Sequence, residues 1–435
     1  MDMVTMGLIA MAAITVLLLI KMPIGLALLL TGFIGLSVIR GLNPGLDMIG
    51  SRPFDINSSY DLAVVPLFIL MGHLTFVAGI TQDLYFAARQ WVGHLKGGLV
   101  IATTLANAAF GACCGSTTAA TAVFGKVAIP EMLRQGVNRS LAAGCVAASG
   151  SLSAMIPPSI LLVVYGILAQ TSVPKLLIAG FIPGILQATL FSLMVFVRAS
   201  INPKLAPPVA RVPWKERFGS LKGGVWGVVF LFMLVMGGIW GGLFTPTEGG
   251  AIGAIGAFIL VLATKKFSRS LLNESFLETA RTTSVIFIIV TGAMVFSMFL
   301  SLSGVPTRVS QLIVTMPVPP LVIVLGTMLI LIALGCVVDV FSMMFLTMPI
   351  FLPVMRALDL NLVWYGILVV TTTEMGQVTP PFGLNCFMLK SVVPELSLGE
   401  IFRGVGWYVA MFFVSIILVM FFPQIALFLP NTMSR

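Results

Sequence analysis

The sequence predicts an all-α polytopic membrane protein made of two inverted five-span repeats, each with a re-entrant hairpin and a proline-broken helix. Three observations point there. The 435 residues are 58% hydrophobic and only 9% charged, whereas a soluble domain carries about 25% charged residues. Apolar runs recur along the whole length, and about 20 residues suffice for one crossing. Finally, a shift of 223 residues lays the second half of the chain on the first.

Taken in order, the apolar runs give spans at 4–20, 22–39, 62–79, 140–170, 176–199, 223–243, 249–264, 282–303, 362–391 and 405–428. The first follows an acid, Asp2, and precedes a Lys–Met–Pro break without a small-residue cleavage site, so it reads as a retained span. Segments 98–133 and 319–357 are too long for one helix and carry small or polar residues at their middles, which suits hairpins. Segments 80–97 and 304–318 correspond under the shift and look amphipathic, as helices lying flat at the interface would.

Charge supports this path. With the basic loop from Arg198 to Lys222 on the cytoplasmic side, alternation puts seventeen Lys and Arg there, Lys96, Arg139, Lys265 and Lys266 included. Six fall outside, among them Arg308 and Arg435, and Lys126 lies on a hairpin arm. That is the positive-inside asymmetry. Both termini then face the periplasm, the first hairpin opens to the cytoplasm and the second to the periplasm. The excess of 24 basic over 15 acidic residues therefore reports loops, not nucleic acid. The five cysteines all lie in apolar stretches without a CxxC pair, as free buried thiols do.

The repeat carries Pro130 onto Pro353, Cys113 onto Cys336, and Pro157–Pro158 onto Pro380–Pro381. Five spans per half is an odd number, so the second half is upside down relative to the first. Inverted repeats with broken helices at the midplane are a signature of secondary transporters.

Four segments are polar or broken at membrane depth: GACCGSTTAAT (111–121), SGSLSAMIPPS (149–159), GCVVDVFSMM (335–344) and TTTEMGQVTPPFGLN (371–385). A proline lacks an N–H and disfavours helix in the residue before it. Helices should therefore stop near Met155 and Val378 and restart at the prolines, where proline suits the first helical position. Freed carbonyls suit a small hard cation, and a helix N-terminus suits a carboxylate. At the hairpin tips, Ser116, Thr117 and Thr118 offer hydroxyls after Gly115, and Asp339 takes the place of Ser116 in the second half. Asp339 is either a helix cap or a cation ligand. Glu374 either binds a cation, carries a proton or bonds a neighbouring hairpin. Glu248 reads as a structural acid at a helix start.

At these motifs the chain resembles the large membrane subunit of tripartite ATP-independent periplasmic (TRAP) transporters, the DctM family. The likeness runs through KMPIGLALLL, VPLFILMGHL, the GxxxGST hairpin, IPPSILLVVYG, AGFIPGILQ, GLFTPTEGGA, TMPIFLPVM and VTPPFGLN, essentially the whole chain. It implies an elevator-type ion-transporter fold. Scaffold spans would occupy 1–79 and 223–303, arm helices 80–97 and 304–318, transport-domain halves 98–199 and 319–435, and a cytoplasmic loop 200–222. It also implies sodium-coupled uptake of an organic anion (carboxylate or sulfonate) delivered by a periplasmic substrate-binding protein (DctP-like). A small four-helix membrane subunit (DctQ-like) would join it in the bacterial inner membrane, with no cofactor beyond the coupling Na+.

By position, the family's first sodium site carries over to Ser116 and Thr117 with Ser153, Met155 and Ile156. The second carries over to Val337 and Asp339 with Gly376, Val378 and Thr379. Pro157, Pro158, Ser159, Pro380, Pro381 and Asn385 are the substrate-binding candidates. One departure stands out: CCGSTTAAT lacks the acid that many relatives carry just after the GS. The competing reading within transport is a stand-alone sodium/anion symporter of the same broad fold. An intramembrane enzyme would need HExxH, GxSxG or a His-rich helix, and an ATP-driven pump a GxxxxGK[ST] loop; the sequence has none of these.

Overall fold

The computed structural model describes residues 2–222, 224–264, 267–381 and 383–433. Lys265, Lys266 and Arg435, counted above by charge, lie outside the described residues, as does Phe382 of the second double-proline motif. The first half opens with α1 (Met3–Leu19), α2 (Ile24–Arg40), α3 (Leu42–Asn57) and α4 (Val64–Val77), which bends by 66° into α5 (Ile80–Val92). A hairpin of α6 (Gly98–Cys114) and α7 (Thr117–Arg134) follows. Next comes a broken element: α8 (Arg139–Ser149), the single turn α9 (Leu152–Met155) and α10 (Ile160–Ala169). The half closes with α11 (Val173–Ala179) and α12 (Phe181–Ile201).

A 3-10 turn (Pro203–Leu205) and α13 (Trp214–Ser220) lead into α14 (Gly224–Trp240), α15 (Pro246–Ala263), α16 (Arg269–Ser303) and α17 (Val305–Val314). The second hairpin is α18 (Pro320–Gly335) with α19 (Val340–Ala357), and the second broken element is α20 (Leu362–Gly376) with α21 (Leu384–Val392). Helices α22 (Leu398–Phe421) and α23 (Gln424–Asn431) end the chain. Among the described residues, five helices are long and apolar enough to cross a membrane alone, and up to eight crossings result if each bent pair counts as one. The ten crossings expected from sequence include α1 and α2, each of 17 residues, and α20, of 15. At 1.5 Å per residue these span about 22–26 Å, slightly short of a hydrocarbon core about 30 Å thick.

Local chemistry explains several boundaries and corrects others. Thr245 and Glu248 form a capping box at the start of α15, the structural role expected for Glu248. Ser397 and Glu400 do the same for α22, so the last long span runs 398–421 and stops at Phe422–Pro423 instead of running 405–428. Helix α16 starts at Arg269, well before the expected 282. Its first turns carry Arg269, Glu274, Glu278 and Arg281, which remove hydropathy but not helix propensity. Helix α3 falls between the expected spans 22–39 and 62–79, where no apolar run marks it; it packs on α2 and α16 and holds Pro53 inside it. Finally, the post-break helices start at Ile160 and Leu384, not at the prolines, which lie upstream in the linkers.

Three helix pairs are the most extensively packed: α2 along α16, α4 along α15, and α8 along α22. Each joins one half of the chain to the other. At the last, a Cβ on Gly404 would lie 1.8 Å from the Ser140 carbonyl oxygen, so only glycine allows this approach. Nearby, Arg139 at the start of α8 pairs with Glu400 of α22 at 2.7 Å.

The connection between the halves is stitched to the first hairpin by main-chain bonds. Gly97 N–H donates to Ala206 O (3.2 Å), Asn138 N–H to Leu205 O (2.8 Å) and Val209 N–H to Gly93 O (3.0 Å). Beside these bonds, Trp91 of α5 packs edge-on against Trp214 and Phe218 of α13.

Candidate ion and substrate site

In an unbroken helix, the N–H four residues on would cap each carbonyl. Prolines at 157 and 158 delete those donors for Ser153 and Ala154, and prolines at 380 and 381 delete them for Gly376 and Gln377. The chain answers differently at the two breaks. At the first, the Ser159 hydroxyl donates to the Ala154 carbonyl and accepts from Leu162 N–H, capping α10. Among the described residues, no donor reaches the carbonyls of Ser153, Met155 or Ile156. These residues are buried, and the Ser153 hydroxyl also has no partner.

At the second break, Gly376 O accepts from Thr379 N–H (3.1 Å) and Gln377 O from Asn385 N–H (3.1 Å). The Thr379 hydroxyl donates to Met375 O at 2.6 Å. Among the described residues, Val378 O meets only the Cys386 thiol, at 3.7 Å. The second break is therefore tied up by its own turn, whereas the first leaves acceptors bare.

Each hairpin tip sits on the break of its own half. Gly115 turns the first tip at φ +60°, and a Cβ there would lie 2.8 Å from Pro158 O. A Cβ on Gly111 of α6 would lie 2.8 Å from the Ser153 Cα, and one on Gly150 would lie 2.2 Å from the Thr121 hydroxyl of α7. The break is thus gripped between both hairpin arms. In the second half, Gly335 and Gly376 meet backbone to backbone. The Gln377 side chain donates to Val338 O at 3.0 Å and to Gly335 O at 3.4 Å.

Asp339 is the cap of α19. Its Oδ1 accepts from Phe341 and Ser342 N–H, both at 3.1 Å, and its Oδ2 accepts the Ser342 hydroxyl. Of the two readings of Asp339, the cap is seen directly. Val337 beside it is exposed. Glu374 is fully buried and accepts the Thr117 hydroxyl of the first hairpin at 2.9 Å, so it bonds a hairpin of the other half.

A cavity of about 1070 Å³ opens between these parts. Ser116, Thr117 and Thr118 from the first tip, Asp339 from the second, Gln377, and the first residues of α10 and α21 form one side. Helices α4 and α16 form the other, with His73, Glu274 and Glu278. Pro157, Pro158, Ser159, Pro380, Pro381 and Asn385 are not in its lining. Pro157, Pro158, Ser159 and Asn385 are buried, whereas Pro380 and Pro381 are exposed; among the described residues the Asn385 side-chain nitrogen has no partner. Lys126, Glu274 and Glu278 went unassigned in sequence because the cavity exists only once α7 and α16 face each other. Among the described residues no group of three His, Cys, Asp or Glu is arranged to hold a metal ion.

The family described as "Tripartite ATP-independent periplasmic transporter, DctM component" matches residues 11–425. The chain belongs to the DctM family. It is 32% identical to the C4-dicarboxylate TRAP transporter large permease protein DctM of Pseudomonas aeruginosa, over 87% of this chain and 88% of that one. It is 31% identical to the ectoine/5-hydroxyectoine large permease protein UehC of Ruegeria pomeroyi, over 95% and 96%. The sialic acid large permease protein SiaM of Vibrio cholerae is 30% identical, over 94% and 95%. This DctM-family chain is therefore a TRAP transporter large permease, a multi-pass membrane protein, and its family is one of transporter subunits. Among solved structures, it shares its fold with MtrF of Neisseria gonorrhoeae (TM-score 0.63, 13% identity, 97% of this chain and 94% of that one). The YdaH transporter of Alcanivorax borkumensis is also similar (TM-score 0.61, 14% identity, 88% and 89%).

Proposed function

We propose that this large permease imports a small organic anion with sodium by an elevator movement, in a bacterial inner membrane. A single observation carries the reading: both hairpin tips and the starts of the helices that follow both breaks line one cavity. Sodium would sit at Ser116 and Thr117 with the backbone of Ser153, Met155 and Ile156, where three buried carbonyls lack donors. A second ion would sit at Val337 and Asp339 with the backbone of Gly376, Val378 and Thr379. The N-termini of α10 and α21 border the same cavity and suit a carboxylate or sulfonate. The names of the relatives, covering C4-dicarboxylates, sialic acid and ectoine, suit a small polar solute without choosing one.

The packing supports inverted repeats. The 223-residue shift carries α2 onto α15 and α4 onto α16, so the pairs α2–α16 and α4–α15 exchange under it. Residues 1–79 and 223–303 would be the scaffold, 80–97 and 304–318 the arms, and 98–199 and 319–435 the moving domain. The termini would face the periplasm. Cysteines placed at Lys96 and Lys204 are expected to label only from the cytoplasmic face, and one at Arg308 only from outside. Labelling of Lys204 and Arg308 positions from one side would refute the path.

A small four-helix membrane subunit and a periplasmic binding protein would complete the machine. The test is sodium-driven uptake in proteoliposomes, comparing succinate, N-acetylneuraminate and ectoine with and without both partners. Little uptake by this chain alone at low substrate concentration is expected. A rate unchanged by adding both partners would favour the stand-alone symporter.

A further inference from the structure

The first hairpin tip, Ser116 to Thr121, carries hydroxyls but no carboxylate of its own. A cation held there by carbonyls and hydroxyls alone would stand in a buried region without a counter-charge, which is costly in a membrane interior. The nearest acid comes from the other half of the chain. Glu374 of α20 is 1% exposed; its Oε1 accepts the Thr117 hydroxyl at 2.9 Å, and its buried Oε2 has no partner among the described residues.

A buried carboxylate satisfied by one hydroxyl is as incomplete as the site beside it. The single turn α9, which holds Ser153 and Met155 and is followed by Ile156, packs against both α7 and α20. Bare acceptors on α9 and a bare carboxylate oxygen on α20 thus flank the same hairpin tip.

We propose that Glu374 supplies the negative charge of the first cation site, from the opposite half of the chain, and is tethered to that site by Thr117. The inference rests on the sodium-coupled reading above and adds to it a specific link. A cation at the first hairpin would bind α20, whose last residues form the second break, so filling one site would brace the other.

The test needs no substrate. The full chain, purified with its small membrane subunit, is titrated with sodium chloride against choline chloride at constant ionic strength. Thermal unfolding and ²²Na binding are the readouts. A ligand that binds only the folded state raises the midpoint with concentration, so sodium should stabilise the parent. Glu374→Gln keeps shape and removes charge. It should raise the sodium needed for half of that shift by about tenfold or more, while the midpoint in choline stays at or above the parent's. Should Glu374→Gln fail to fold, Thr117→Val removes the tether and should raise the sodium requirement in the same direction.

A parent that responds to sodium, with folded variants responding identically, would overturn this assignment and leave the sodium reading intact. A parent indifferent to sodium would overturn both.

Discussion

A valine at position 376 is expected to abolish sodium-driven uptake while leaving the protein in the membrane. A Cβ on Gly376 would lie 2.7 Å from the Gly335 Cα and 3.1 Å from its carbonyl carbon. Both neighbours are backbone, so no rotamer change relieves the clash, and the second hairpin must lift off the second break. Forcing extra atoms into a packed interior costs about 1–3 kcal/mol, which a membrane domain of this size survives. The damage falls on the site, because Gln377 would lose its grip on Val338 O and Gly335 O. Uptake in vesicles should drop at least about tenfold, at normal abundance in the membrane fraction. Near-parental uptake by Gly376→Val would mean that this crossing is not part of the transport site.

Asp339 offers the second large effect, with two substitutions separating its two roles. Alanine removes the cap on Phe341 and Ser342 and should cost about 0.5–2 kcal/mol of stability. It should also free the turn Cys336–Asp339, so that uptake is weak at any sodium concentration. Asparagine keeps a capping oxygen, so the thermal midpoint should stay near the parent's. The half-saturating sodium concentration should nevertheless rise severalfold if the carboxylate charge helps hold the ion. Thr379→Val serves as a companion, because it removes the hydroxyl now given to Met375 O and should also raise the sodium requirement. Parental sodium dependence in both Asp339→Asn and Thr379→Val, at normal expression, would leave Asp339 a cap and move the second ion elsewhere.

Much of this architecture was legible because membrane segments announce themselves by composition and the double prolines by chemistry. The two hairpins, the bent α4–α5 pair and both breaks fall where runs of apolar residues, Gly-rich tips and prolines predicted them. Boundaries failed where hydropathy and helix propensity diverge, as at α16, whose charged first turns are good helix formers in polar surroundings. The start of α22 was set by Ser397 and Glu400, a local signal that the apolar run obscured.

At the site, sequence identified which carbonyls lose their donors but not which find new ones. The Ser159 hydroxyl goes to the Ala154 carbonyl and the Asn385 main-chain N–H to Gln377 O, two partners that no motif specifies. The bond from Thr117 to Glu374 joins residues 257 positions apart. No periodicity or motif encodes such a distance; only packing brings the two together.

The three main-chain bonds that fasten the inter-half connection have a consequence for how that segment tolerates change. They use the carbonyls of Leu205 and Ala206 and the N–H of Val209, none of which depends on side-chain identity. Pro207 and Pro208 occupy the two intervening positions, where no donor is required. The bonds themselves therefore set no residue type apart from barring proline at 209, and side-chain choice is limited only by the packing of Leu205, Ala206 and Val209, whereas the length is fixed. Adding or deleting one residue between Ala206 and Val209 would put acceptor and donor out of step with Gly97 and Gly93, however conservative the insertion.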